Sequence, residues 1–161
     1  MTAEDAFDKY HRAVFDFVYR LCGRGDVAED VTQECFLALL RAPGRFDPGR
    51  GTMKTYLLAI ARNLALKAYR DDRAEPLAED VAARDRDPDV ASAVEAALAE
   101  LPALQREALV LFQYEGATLE EIAQIVHADV GTVKSRLHRA RERLRRVLAP
   151  YRNVEKTNGT V

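Results

Sequence analysis

Hydrophobic residues recur every three to four positions along most of this chain, which is the spacing of an α-helix. The segments with this pattern are Ala3 to Leu21, Ala28 to Ala42, Met53 to Arg70, Val94 to Leu101 and Gln105 to Tyr114. No segment shows convincing strand character. We therefore predict an all-α fold.

The stretch from Thr118 to Leu148 predicts a helix-turn-helix. Thr118 and Glu121 have the spacing of a capping box, in which a hydroxyl and a carboxylate satisfy the unpaired amides of the first helical turn. The hydrophobic spacing then stops at residues 127–129, and Asp129 is well placed to cap a second helix. A short capped helix, a three-residue turn and a longer helix are the parts of this motif.

The longer helix has one apolar side and, opposite to it, the polar residues Ser135, His138, Arg139 and Glu142. Cations flank the polar side: Lys134, Arg136, Arg141, Arg143, Arg145 and Arg146. This arrangement suits a helix that reads base edges in the major groove of DNA while its cations contact phosphates. An ordinary solvated basic face is the alternative, which the preceding capped helix and turn disfavour.

The charges are divided along the chain, although the formal net charge is only −2. They balance in the first 75 residues, sum to −5 over the next 25 and to +3 over the last 61. The acidic stretch contains Pro76 and Pro88 and no aromatic residue, which is typical of a linker. We therefore predict two small helical domains at residues 1–73 and 93–149, an acidic linker at 74–92 and a disordered tail at 150–161.

The second predicted helix is apolar nearly all round. One stripe should meet the first helix, but Phe36, Leu37 and Leu40 point elsewhere, beside Gln33 and Glu34. A helix of this kind is either fully buried or binds a partner. In so small a domain we favour a partner.

The third predicted helix carries a polar edge made of Tyr56, Asn63, Lys67 and Arg70. A loop rich in proline and glycine precedes it and contains Phe46. An aromatic ring, an amide and two cations along one edge can hold single-stranded nucleic acid through stacking and phosphate contacts. A solvated face with a half-buried tyrosine is the alternative.

Several classes of function find no support. Two cysteines, Cys22 and Cys35, are too few for a disulfide framework or a four-thiolate zinc site, and we expect them to be buried thiols rather than a redox switch. No metal-ligand spacing and no nucleophile with its base occurs, so we expect no enzyme, no metal and no cofactor. The sequence has no secretory signal and no stretch long enough for membrane insertion, and we expect a cytoplasmic protein.

Three segments in this order resemble the extracytoplasmic-function (ECF) group of bacterial sigma factors, the promoter-specificity subunits of RNA polymerase. They are AEDVTQECF from Ala28, YLLAIARN from Tyr56 and VGTVKSRLHRARERL from Val130. The resemblance extends from about Phe7 to Leu148. It implies two helical domains, no catalysis, and core RNA polymerase, promoter DNA and an anti-sigma factor as partners.

The resemblance also implies roles for individual residues. Those matching the surface that docks on the clamp helices of the largest polymerase subunit are Asp30, Gln33, Glu34, Phe36 and Leu37. Those matching the reader of the melted −10 element are Phe46, Tyr56, Arg62, Asn63, Lys67 and Arg70, with the loop around Phe46 as a pocket for a flipped base. Those matching the −35 reader are Lys134, Ser135, Arg136, His138 and Arg139, flanked by Arg141 and Arg143.

Three positions depart from the family pattern. Tyr56 replaces the usual tryptophan, and Asp129 replaces a frequent proline. His127 stands at a turn position usually held by glycine, so strain is expected if the turn requires a positive φ. The competing hypothesis is a free-standing helix-turn-helix regulator, which would leave Phe36, Leu37 and Leu40 without a role. A small nuclease using Glu29, Asp30 and Glu34 with a histidine is a weaker alternative, because the three histidines are scattered and no metal-ligand spacing occurs.

Overall fold

The computed structural model of the chain describes residues 1–71 and 90–151. All regular secondary structure in these two ranges is helical, which confirms the predicted all-α fold. Most of the predicted acidic linker and nearly all of the predicted tail lie outside the described residues. The helix that follows the gap begins at Val90, three residues before the predicted start of the second domain at residue 93.

Residues 1–71 fold into three α-helices. They are α1 at Ala3–Cys22, α2 at Gly25–Arg41 and α3 at Met53–Asp71, with a short 3₁₀ turn at Pro43–Arg45. The start of α1 is fixed by a capping box in which the Thr2 hydroxyl accepts from the Asp5 amide at 3.1 Å. The helix ends at Gly23, whose φ of 70° is the left-handed conformation that favours glycine at this position.

The core of the first domain lies where these three helices meet. Its central side chains are Val14 and Val18 of α1, Val31, Cys35 and Leu39 of α2, and Leu57 and Ala61 of α3. They lie at the helical spacing that the sequence pattern predicted. The amphipathic faces of α1, α2 and α3 therefore converge on one apolar centre.

Residues 90–151 form four helices. They are α4 at Val90–Glu100, α5 at Ala103–Gln113, α6 at Leu119–Val126 and α7 at Val130–Val147. Pro102 separates α4 from α5, because proline cannot supply the amide that a continuous helix requires. Gly116, with a φ of 67°, lies in the turn before α6.

A second apolar core joins the two domains. Phe17 of α1 and Leu58 of α3 are buried together with second-domain residues, among them Leu98, Leu111 and Ile122. Polar contacts join the domains as well. The Arg106 guanidinium donates to the carbonyl of Leu21 at 2.6 Å and to those of Ala99 and Leu101 at 2.6 and 2.8 Å. The domains therefore pack directly against each other in this structure.

Candidate nucleic-acid and partner interfaces

The helix-turn-helix is formed by α6 and α7, as predicted. The Glu121 carboxylate accepts from the Thr118 amide at 3.1 Å, and the Thr118 hydroxyl accepts from the Glu121 amide at 3.1 Å. This reciprocal pair is the predicted capping box. At the start of α7, the Asp129 carboxylate accepts from the Thr132 amide at 2.6 Å, which confirms the predicted cap.

The turn between α6 and α7 contains a left-handed residue that is not glycine. His127 has φ 54° and ψ 47°, and it is the one non-glycine residue with a positive φ in the described ranges. A side chain in this conformation brings its Cβ close to the following carbonyl, which costs roughly 1–2 kcal/mol. The turn therefore has the positive φ at which the family pattern led us to expect strain at His127.

The two capping carboxyls of this region, Asp129 and Glu121, differ in what stabilises their charge. Bonds from the Thr132 backbone, followed by its side chain, lower the pKa of Asp129. For Glu121, the Thr55 hydroxyl is the main cause of a lowered pKa, since it donates to Oε2 at 2.6 Å from the first domain. The capping box of α6 is thus tied to α3.

The recognition helix α7 has the two sides that the helical wheel predicted. Val133, Leu137 and Ala140 are buried, and Leu144 is half-buried beside them. The exposed candidates on the other side are Lys134, Ser135, His138, Arg139, Arg141 and Arg143. Arg136 is half-buried, so it contributes to the edge of this surface rather than to its centre.

Contacts within the domain hold three of the α7 side chains. The Arg141 guanidinium lies 5.1 Å from the centroid of the Phe112 ring, in a cation–π contact. His138 Nε2 lies 3.3 Å from the Glu142 carboxylate. Lys134, Arg139 and Arg143 are exposed and extend from the same helix. Arg139 lies on the polar front and the other two cations flank it, so the geometry suits one base contact between phosphate contacts.

The candidate single-strand edge lies on α3 and the loop before it. The Phe46 ring lies 5.4 Å from the Tyr56 ring, with an angle of 55° between their planes. Asn63 and Lys67 are exposed farther along the helix. Four of the six candidates therefore lie together on one side of the first domain. The side chain of Arg70 lies outside the described residues.

Arg62 is separated from this edge because it points into the domain interface. Its Nε and Nη2 donate to the two carboxylate oxygens of Glu107 at 3.0 and 3.1 Å. Both side chains are buried. In this arrangement of the domains Arg62 is not accessible to DNA. The sequence contains no signal for this pair, since the residues are 45 positions apart and belong to different domains.

The predicted docking residues of α2 divide into an exposed stripe and a buried ring. Asp30, Gln33, Glu34 and Leu37 are exposed and lie three or four residues apart, which places them on one face of the helix. Phe36 is different. Its side chain is only 8% exposed and belongs to the core of the first domain. The sequence pattern suggested that this ring points away from the core.

An open groove of about 620 Å³ runs between α1 and α2. Its lining residues are Ala3, Glu4, Phe7, Asp8, Gln33, Phe36, Leu37 and Leu40. Phe7 is 42% exposed and meets Phe36 edge-on at 5.1 Å between ring centroids. The hydrophobic spacing of α1 favours a core position for Phe7, but its ring lines this groove, while the neighbouring Ala6 is fully buried in the core. The groove is apolar inside and has acidic side chains at its rim.

The two thiols are not activated for chemistry. Burial raises the pKa of Cys35 to about 12, and its Sγ donates to the Leu57 carbonyl at 3.4 Å. Burial also raises the pKa of Cys22. Both groups are therefore protonated at neutral pH, as expected for packed thiols. Within the described ranges no group of histidines, cysteines and carboxylates could hold a metal ion, and no helix is long and apolar enough to cross a membrane.

Comparison with known proteins covers both domains. Residues 6–75 match the model of sigma-70 region 2, and residues 91–144 match that of sigma-70 region 4. The RNA polymerase sigma factor CarQ of Myxococcus xanthus is 35% identical over 90% of this chain and 88% of its own length. The ECF RNA polymerase sigma factor SigE of Mycolicibacterium smegmatis is 38% identical over 86% of this chain, which spans 58% of that protein's length.

A solved structure agrees with these relatives. The sigma factor RpoE from Bartonella quintana, in complex with the anti-sigma factor NepR, superposes with a TM-score of 0.78 at 30% identity. The match covers 91% of this chain and 96% of that one. Both domains and their order are thus common to the two proteins. The chain belongs to the ECF group of the sigma-70 family of RNA polymerase sigma factors.

Proposed function

We propose that this chain binds core RNA polymerase, directs it to a small set of promoters and is restrained by an anti-sigma factor until a signal releases it. One observation carries the proposal. The chain combines an exposed cationic recognition helix with a separate apolar groove on the other domain. A free-standing DNA-binding regulator needs only the first of these features.

The groove and the α2 stripe form the proposed polymerase surface. Leu37 and Leu40 are large apolar side chains that remain exposed, and Asp30 and Glu34 lie beside them. Apolar anchors bordered by acidic residues suit a helical partner with an apolar ridge and basic flanks. We assign this surface to the clamp helices of the largest polymerase subunit.

The second domain is the proposed reader of the −35 element. Its recognition helix places Arg139 at the centre of an exposed face, with Lys134 and Arg143 at the sides. An arginine in the major groove can donate two hydrogen bonds to guanine, and the flanking cations suit phosphates. Ser135 and His138 supply further polar groups on the same face.

The first domain is the proposed reader of the −10 element as a single strand. Phe46 and Tyr56 offer aromatic faces, and Asn63 and Lys67 offer polar contacts along α3. Arg62 can join them only if Glu107 moves away. The assignment of Arg62 to DNA therefore requires the two domains to separate.

An anti-sigma factor is proposed from the similar structure, in which RpoE is bound to NepR. The overall net charge of −2 fits a protein with little affinity for DNA when it is alone. The proposed role is non-enzymatic, because it consists of binding to polymerase and to DNA. We place the protein in the cytoplasm, where bacterial RNA polymerase acts.

Run-off transcription tests the proposal. The purified protein is mixed with bacterial core RNA polymerase and a fragment library of the source genome, with core alone as the control. Defined transcripts that require the protein are expected, and their start sites reveal the −35 and −10 sequences. No transcript, together with no co-migration of protein and core on a sizing column, would favour the free-standing regulator.

Two leucine variants localise the polymerase surface. Leu37→Glu places a charge at the proposed contact, and we expect it to weaken binding to core by at least about ten-fold, as loss of an interface anchor does. Leu104→Glu is the matched control, since Leu104 is also exposed but lies on α5 of the second domain. Equal loss in both variants would contradict the assignment of the groove.

A further inference from the structure

The recognition helix α7 carries one acidic side chain among seven cations. The acid is Glu142, and the cations are Lys134, Arg136, Arg139, Arg141, Arg143, Arg145 and Arg146. Successive helical residues are about 100° apart, so Glu142 lies on the side of α7 opposite to the buried Val133, Leu137 and Ala140. Its side chain is about half exposed. A negative charge here repels phosphates, so the proposed phosphate contacts of α7 do not explain its place.

The Glu142 carboxylate contacts the imidazole of His138, one helical turn earlier. His138 Nε2 lies 3.3 Å from Glu142 Oε1, and the His138 side chain is 72% exposed. An ionised carboxylate only accepts, so the ring nitrogen that faces it carries a hydrogen. The contact therefore holds one end of the ring and identifies Nε2 as a donor.

The other ring nitrogen of His138 remains open to a partner outside the chain. None of the described residues bonds to His138 Nδ1. In a neutral imidazole with its hydrogen on Nε2, Nδ1 is an acceptor. The major groove offers such an acceptor two kinds of donor, the N6 amino group of adenine and the N4 amino group of cytosine. His138 precedes Arg139 on the proposed DNA-reading side of α7, so its ring can face such a group.

An exposed ion pair without a further role is the simpler explanation of the contact. Oppositely charged side chains four residues apart on a helix surface contribute little to stability. A pair of this kind would serve equally well away from DNA, where its acid would not oppose phosphate binding. The position of Glu142 on the polar side, together with its contact to a proposed base reader, favours a role in recognition.

We propose that Glu142 is a positioning residue for −35 recognition, which holds the His138 ring so that Nδ1 accepts a hydrogen bond from the amino group of one adenine or cytosine. The inference rests on the proposed function, because it concerns the same DNA-reading surface. Arg139 is proposed to donate to acceptors on a base. The held His138 adds a contact of the opposite polarity, in which the protein accepts and the base donates.

The first experiment locates the base pair that His138 reads. The full-length protein, without polymerase, selects from a library of duplex DNA with a randomised segment, at low salt because low salt strengthens DNA binding. Sequencing gives the base preference at every position. The same selection is made with His138→Ala, Glu142→Ala and Glu142→Gln. Glu100→Ala is the matched control, because it removes an equal charge at an exposed position of α4.

We expect His138→Ala and Glu142→Ala to lose the same preference, by about five-fold at one position, which is the effect of roughly one hydrogen bond. Glu142→Gln should keep most of this preference, because its amide oxygen still accepts from Nε2, and Glu100→Ala should keep all of it. An equal loss in Glu142→Gln would overturn the proposal, because charge alone would then be responsible. Adding Glu142→Ala to His138→Ala should change no preference further.

Modified bases then identify the group that is read. In the selected duplex, the adenine or cytosine of that base pair is replaced by purine or 2-pyrimidinone, which lack the exocyclic amino group. We expect this change to weaken binding of the wild type by about five-fold and to leave binding of Glu142→Ala unchanged. A 7-deaza purine in the same base pair lacks the N7 acceptor, and it should bind the wild type as well as the normal base does.

Four further results would overturn the proposal. His138→Ala could change no position, which would leave Glu142 without a reader to hold. Glu142→Ala could change the affinity for every sequence equally, as a charge alone would. Glu142→Ala could change a preference when residue 138 is already alanine, which would make the carboxylate itself the reader. The 7-deaza base could weaken binding in place of the base that lacks the amino group, which would make Nδ1 a donor.

These measurements and the test of function can fail separately. Transcription requires core polymerase, whereas the selections and the modified duplexes use the protein alone. Transcripts without a base preference that depends on His138 and Glu142 would leave the proposed function intact and reject the positioning role. Such a preference without transcripts would support the positioning role in DNA recognition and reject the polymerase role.

Discussion

The two candidate DNA-reading helices differ in what surrounds them. The polar side of α7 is exposed, and its buried side packs mainly within its own domain. Along α3, the edge with Asn63 is exposed while the face with Leu58 and Arg62 is covered by the other domain. A single amphipathic pattern defines both sides of α7. The accessibility of α3 also depends on how the second domain packs against it, and the hydrophobic pattern of α3 does not reveal this packing.

The largest effect is expected when the buried Arg62–Glu107 ion pair is broken, and it is an effect on stability. Glu107→Leu leaves Arg62 as an unpaired buried charge, and we expect the free energy of unfolding to fall by about 3–5 kcal/mol. Adding Arg62→Leu should restore most of this loss, because two apolar side chains can fill the same space. Urea unfolding measures both variants. A double variant as unstable as the single one would mean that the carboxylate has another essential contact.

The next effect concerns DNA binding by α7. Arg139→Ala should weaken binding of duplex promoter DNA by about 1–3 kcal/mol and relax the preference at one −35 position. Arg146→Ala, in the last turn of the same helix, is the matched control and should weaken binding equally for all sequences. Both are measured with duplexes that vary one base pair at a time. Uniform weakening by Arg139→Ala would identify it as a phosphate contact instead.

A smaller effect is expected in the turn of the helix-turn-helix. His127→Gly relieves the left-handed conformation and should raise the free energy of unfolding by about 1 kcal/mol. Thermal unfolding measures the gain. Because His127 is exposed, its replacement by glycine removes little packing. A decrease in stability would therefore mean that the imidazole ring makes a contact that stabilises the turn.

The smallest effect is a dependence of stability on pH that joins the two domains. The pKa of Glu121 is lowered mainly by the Thr55 hydroxyl, so its contribution is present above its usual value of 4.5 and is lost as the pH falls through the lowered pKa. Thr55→Val removes this donor and should flatten the loss of stability below that pH. Urea unfolding at several pH values measures it. Asp129 has the same sign but is unaffected by Thr55, so some acid sensitivity should remain.

The sequence was sufficient for features that depend on neighbours along the chain. The capping box of Thr118 and Glu121, the Asp129 cap and the two sides of α7 each depend on residues within one or two helical turns, and all are present. Helical periodicity likewise located α1, α2 and α3 to within about three residues at each end.

The sequence was not sufficient where separate helices meet. Phe36 and Phe7 both lie on apolar faces, and periodicity could not show that Phe36 is covered while Phe7 lines the open groove between α1 and α2. The covering of Arg62 by Glu107 depends on how two independently patterned domains pack, and no local spacing encodes that contact. These pairings are tertiary, so they require coordinates.

The Arg106 guanidinium links the end of α1 to the end of α4. Arg106 donates to a carbonyl in the last turn of α1 and to two carbonyls at the end of α4, so these three acceptors share a single donor group. If the domains part, the α1 carbonyl loses its donor in the same step in which Leu58 and Phe17 become exposed to water. A partial opening would break the hydrogen bond to the Leu21 carbonyl without giving this carbonyl full access to water, so it would cost free energy that a full separation recovers. We therefore expect the domain interface to open cooperatively, as a single transition rather than by gradual fraying.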